Sequence, residues 1–145
     1  MACKITILLV SESQEGTIGN DWKYDLEAKI FSGPRIGMGT ISVRKHTLES
    51  GQKLEPPPGP PEPLVLPAGE PGGKIRVDLR LSVAEVDLIE NDTGMMSTSI
   101  RLTCPGTGEP PVVHDRKISV GVSEQPSGIG SASFKLALRL TVDND

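Results

Sequence analysis

The chain has 145 residues, a formal net charge of -4 and only 3% aromatic residues. That length makes one domain, residues 1–145, with a core of its own built mostly from Val, Ile and Leu. The acidic balance argues against non-specific nucleic-acid binding, which needs a basic surface to release counterions. The 16 Gly and 13 Pro exceed average usage of about 7% and 5% and predict many turns and few helices.

Residues 4–10 form a short apolar run, bounded by Ser11-Glu12-Ser13, and predict a buried strand. The run is too short for a signal-peptide core and lacks a basic leader. No apolar stretch approaches the ~20 residues that span a bilayer. The expectation is a soluble protein, cytoplasmic when synthesised. Residues 11–20 read as a polar loop carrying Glu12 and Glu15. Residues 22–31 alternate, with Tyr24, Leu26, Ala28 and Ile30 on one face and Lys23, Asp25, Glu27 and Lys29 on the other. A period of two is the signature of a strand with one dry face. A turn over residues 32–35 and a third strand over 38–46 follow, with His46 as a surface residue of that strand.

Residues 49–73 differ in kind, because they hold eight of the prolines. Each proline removes a backbone donor, so the segment predicts an extended polyproline surface loop or arm, with a short edge piece at Leu64-Val65-Leu66. A loop this long inside a compact domain points to function or disorder.

The stretch from residue 74 to 102 is the most regular. Ile75, Val77, Leu79, Leu81 and Val83 alternate with Arg76, Asp78, Arg80 and Ser82, and the strand runs into Glu85, Asp87, Glu90 and Asp92. A turn is expected at Thr93-Gly94 and a new strand over 97–102. Met95-Met96 and Leu88-Ile89 read as core at loop edges. Residues 103–115 read as a second Pro/Gly loop, placing His114 and Asp115 in solvent. Residues 117–123 and 133–142 alternate again, with a turn at 125–130 between them.

Seven or eight amphipathic strands cannot bury their faces in one open sheet. The predicted fold is all-β, an antiparallel two-sheet β-sandwich with a long proline-rich loop. Cys3 and Cys104 are too few for a disulfide framework. With no secretory signal the expectation is two free buried thiols, although they can pair if their strands are neighbours.

Catalytic patterns are not found. No serine sits in a G-x-S-x-G elbow, and no H-E-x-x-H or C-x-x-C spacing occurs. The carboxylates are more suggestive. A hard cation such as Ca²⁺ takes six to eight oxygens from loops, and two loops offer them: Glu12, Glu15, Asn20 and Asp21 in the first, and Glu85, Asp87, Asn91 and Asp92 in the second. Residues i and i+2 at a strand end point the same way, so Glu85 and Asp87 present two charges that repel unless neutralised.

The segments Glu15-Gly-Thr-Ile-Gly-Asn-Asp21-Trp22 and Leu79-Arg-Leu-Ser-Val-Ala-Glu85-Val-Asp87-Leu-Ile-Glu-Asn-Asp92-Thr-Gly94 resemble the two acidic loops of the calcium-and-lipid-binding β-sandwich domain of protein kinase C and synaptotagmins. The resemblance covers about a third of the chain. It implies an eight-stranded sandwich with metal ligands near Glu15, Asp21, Glu85, Asp87 and Asp92. Glu stands where the family has Asp at two of these positions, and no basic strand beyond Arg44-Lys45-His46 matches the family's lipid patch. Two functions are therefore expected. The first is a non-enzymatic structural or interaction module, a self-assembling subunit in a homo-oligomer or filament with Ca²⁺ at its acidic loops. The second is a calcium-dependent binder of phospholipid membrane surfaces.

Overall fold

The computed structural model describes residues 2–88, 90–124 and 130–144. Among these lie nine strands and no helix. They are β1 (Cys3–Gly16), β2 (Asp21–Ser32), β3 (Arg35–Thr47), β4 (Lys53–Leu54), β5 (Leu64–Gly69), β6 (Lys74–Glu85), β7 (Asp92–Thr103), β8 (Val112–Ser123) and β9 (Ser131–Asn144). One sheet runs β4-β1-β9-β8, with β5 also pairing β1, and the other runs β3-β2-β6-β7. All pairings are antiparallel. The two sheets stack as the predicted sandwich, with Trp22 and Tyr24 of one packing on Phe134 of the other at ring-centroid distances of 5.5 and 5.0 Å. Leu26, Leu79, Leu81, Leu136 and Leu138 fill the space between. Full burial of each such side chain contributes roughly 1.5–3 kcal/mol.

The alternation in β2, β6 and β9 places its apolar set inward without exception. Elsewhere the structure corrects the expectations. Residues 11–16 are strand rather than loop, because β1 continues to Gly16 against β9. Thr93 and Gly94 make no turn. They pair with Ala84 and Val83 inside β7, so the reversal lies between Glu85 and Asp92. Gly94 is there because β7 passes so close to the Gly121 carbonyl and Val120 that a Cβ would collide. Met95, Met96 and Leu88 are exposed, not core. His114 and Asp115 belong to β8, which begins at Val112. The expected turn over 125–130 falls almost wholly outside the described residues, as does Ile89.

The proline segment is only partly loop. Its residues Lys53–Leu54 and Leu64–Gly69 add two short pieces to the edge of β1. Pro67 is tolerated there because an edge strand has a side that needs no donor. Leu64 and Pro67 pack beside Gly39 and Gly37 of β3, so β5 closes the opening between the sheets on that side.

The cysteines are not free thiols. Cys3 and Cys104 form a disulfide with a Cα–Cα distance of 6.3 Å. Cys3 opens β1 and Cys104 follows β7, so the bond ties the two sheets together. Their positions, 101 residues apart in sequence, become neighbours only through the stacking of the layers.

Candidate functional site

The acidic rim grows out of the β6 pattern. Every odd residue of β6 faces inward, and Glu85 is the last of that series, 2% exposed. Across the ladder its partner is Asp92, fully buried. Directly opposed residues hold their Cβ atoms about 5 Å apart, so two carboxylates are forced together at the end of the sandwich. Asp87 comes two residues after Glu85, exposed, with its N–H donating to the Asn91 side chain at 3.3 Å. One oxygen from each of Glu85, Asp87 and Asp92 lies within 4.8 Å of the others.

Burial, then the charge of Asp87 and a hydrogen bond shared with its carboxyl, then repulsion from Asp92 and Asp21, push the Glu85 carboxyl up to about 7. Its Oε2 atom is buried without a hydrogen-bond partner among the described residues. The loop between β1 and β2 covers the same carboxylate. Gly19, at φ +145°, rests against it so closely that no side chain fits between them. That loop is anchored by Trp22 Nε1 donating to the Gly19 carbonyl at 3.2 Å and by the Gln14 amide donating to it at 3.3 Å.

Of the five expected ligands, Glu85, Asp87 and Asp92 come together. Asp21 stands near enough to raise the Glu85 proton affinity, and its carbonyl accepts from the Val86 N–H at 2.7 Å, but it is not part of the close group. Glu15 is an exposed residue of β1 paired with Ser133 and is likewise outside it.

A second polar cluster was not legible in the sequence. Two β-bulges create it. In β1 the register shifts between Leu9 and Ser11, so Glu12 and Gln14 face inward where the earlier alternation would turn them out. In β3 the register shifts opposite Lys23, with Arg44 and Lys45 as the extra pair, and His46 turns inward. A bulge reverses which residues face the core. Glu12 is 1% exposed and accepts from the Tyr24 hydroxyl at 2.9 Å and from His46 Nε2. His46 Nδ1 lies 2.7 Å from the Arg44 carbonyl. Both partners of the imidazole are acceptors, an arrangement that favours the doubly protonated ring facing the Glu12 carboxylate. Burial opposes that charge, but the bonds to Glu12 and to the Arg44 carbonyl win, and the His46 pKa is raised. Burial and Glu12 together push the Tyr24 hydroxyl well above its ordinary value.

Neither a scan against protein-family models nor a comparison with curated proteins returns a match to this chain. Among the described residues no helix is long and apolar enough to cross a membrane.

Proposed function

We propose that this chain is a non-enzymatic interaction module, a subunit that assembles with copies of itself and takes a divalent cation, Ca²⁺, at Glu85, Asp87 and Asp92. The observation that carries the cation is the buried Glu85 oxygen without a partner, set among carboxylates that repel it. Hard cations relieve that arrangement with oxygen ligands at flexible geometry. Self-association is supported by the end strands β7 and β8, each without a ladder partner on its outer edge among the described residues, where Met95, Met96, Val112 and Val113 are exposed. Unpaired strand edges are templates for pairing with another chain. On the opposite side β5 covers the corresponding opening.

Calorimetric melting with millimolar Ca²⁺ against chelator tests the cation. A ligand that binds only the native state raises the melting point, and an unchanged transition removes the metal. Sedimentation over a range of concentrations tests assembly, and a monomer at every concentration removes it.

The second reading is calcium-dependent membrane binding. Leu88, fully exposed beside the acidic group, favours it as an apolar tip. Vesicle co-pelleting that requires Ca²⁺ and is lost in Leu88→Ser would select this reading over self-assembly.

A further inference from the structure

The outer face of the β4-β1-β9-β8 sheet carries a concavity of about 540 Å³. Its shape follows from residue size and from the β1 bulge. Beyond the bulge, Ser11 and Ser13 face outward, opposite Ala137 and Lys135. Small side chains make the floor, and long cationic ones stand round it. Lys53 is paired with Ser13 from the β4 side, so Lys53, Ser13, Lys135 and Ser119 form one row across four strands. Lys117 flanks it, opposite Ala137. Lys53, Lys117 and Lys135 line one hollow together with Ser11 and Ser13.

The charges there are lopsided. The lining holds Lys53, Arg116, Lys117, Lys135 and Arg139 against only Glu55 and Asp115. Both carboxylates are already engaged, Asp115 with Arg139 at 2.8 Å and Glu55 with Lys53 at 3.3 Å. Lys117 and Lys135, diagonal neighbours on adjacent strands, have no carboxylate partner among the described residues. Diagonal neighbours on a sheet stand about 7–8 Å apart, so the two ammonium charges repel and an anion is the ligand that relieves them. Every group pointing into the hollow from Ser11, Ser13, Lys117 and Lys135 is a hydrogen-bond donor.

We propose that this hollow binds a multivalent phosphate ligand, its phosphoryl oxygens taken by Lys117, Lys135 and Lys53 over the Ser11 and Ser13 hydroxyls. The phosphates belong either to a free oligophosphate or to phosphate esters carried on a larger molecule.

Isothermal titration of the full chain with tripolyphosphate, orthophosphate and a soluble phosphorylated polysaccharide tests this. Saturable 1:1 binding of tripolyphosphate is expected, weakening steeply with salt. The K117E/K135E variant should bind about tenfold or more weakly. The K23E/K45E variant, with the same charge change on the other sheet, should stay within about twofold. Circular dichroism confirms folding, and K117M/K135M replaces the reversal variant if that one does not fold. A phosphorylated polysaccharide binding more tightly than tripolyphosphate assigns the ester source, and the reverse order assigns the free one. No saturable binding, orthophosphate binding as tight as tripolyphosphate, or an equal loss in K23E/K45E overturns the proposal.

Discussion

Glu12 and His46, 34 residues apart in sequence, belong to different sheets and meet through a single carboxylate–imidazole contact in the interior. Each is delivered by its own bulge, and Tyr24 completes the cluster from β2. A charge pair placed this deep stabilises only while both partners are present, because either charge left alone keeps its full desolvation penalty.

Removing the acceptor should therefore be costly. Glu12→Ala removes the acceptor shared by the Tyr24 hydroxyl and His46 Nε2 and is expected to lower unfolding free energy by about 3–5 kcal/mol. Tyr24→Phe removes one hydrogen bond and should cost only about 1 kcal/mol. Urea denaturation of the two variants and of their combination measures both, and strong non-additivity is expected for groups sharing one carboxylate.

The same pair gives a pH dependence of known sign. The His46 pKa is raised in the folded state above its ordinary 6.5, so protonation favours the native form. The stabilisation is complete below about pH 6.5 and fades as pH rises through the folded value. His46→Gln should remove this step from the stability–pH curve, and an NMR titration of the ring should find a midpoint above the ordinary one.

Glu85 acts in the same direction by a different route. With its carboxyl pushed from 4.5 to about 7, the metal-free fold has its full stability below pH 4.5 and loses that contribution as pH climbs through 7. Glu85→Gln should raise the melting point of the chelated protein at pH 8 and abolish any Ca²⁺-induced rise. A variant that melts lower in chelator at that pH would contradict the repulsion argued for the rim.

Gly19 offers a separate handle on the rim. Its φ of +145° and the Glu85 carboxylate against its α-carbon leave no room for a methyl group. Gly19→Ala should cost about 1–3 kcal/mol and displace the loop. A weaker response to Ca²⁺ than the wild type is then expected in the same melting experiment.

The disulfide closes a span of 101 residues, and a loop that long restricts the unfolded chain by about 4–5 kcal/mol in the chain-entropy account. Reductant, or Cys3→Ser with Cys104→Ser, should lower stability by that order while the far-ultraviolet dichroism stays that of a β protein. An unchanged denaturation midpoint would show that the bond contributes nothing.

What the chain determines by itself is the layer architecture. Alternation in residues 74–83 and 133–142 settles which side of each strand is dry, and strands that bury one face each must stack. The position of Glu85 as the next inward residue of β6 also grows from local pattern, whereas its pairing with Asp92 depends on where the chain reverses, which the turn expected at Thr93-Gly94 misplaces. Tertiary structure alone decides the rest. The bulges at Val10 and at Arg44-Lys45 reverse the facing of Glu12, Gln14 and His46, and a one-residue slip leaves no trace in hydrophobic periodicity once the apolar run has ended. Strand order, in turn, decides that Cys3 meets Cys104 and that Lys53, Lys117 and Lys135 share one hollow. Those residues stand far apart in sequence, and only the hydrogen-bonded ladders and the stacking of the two sheets make them neighbours.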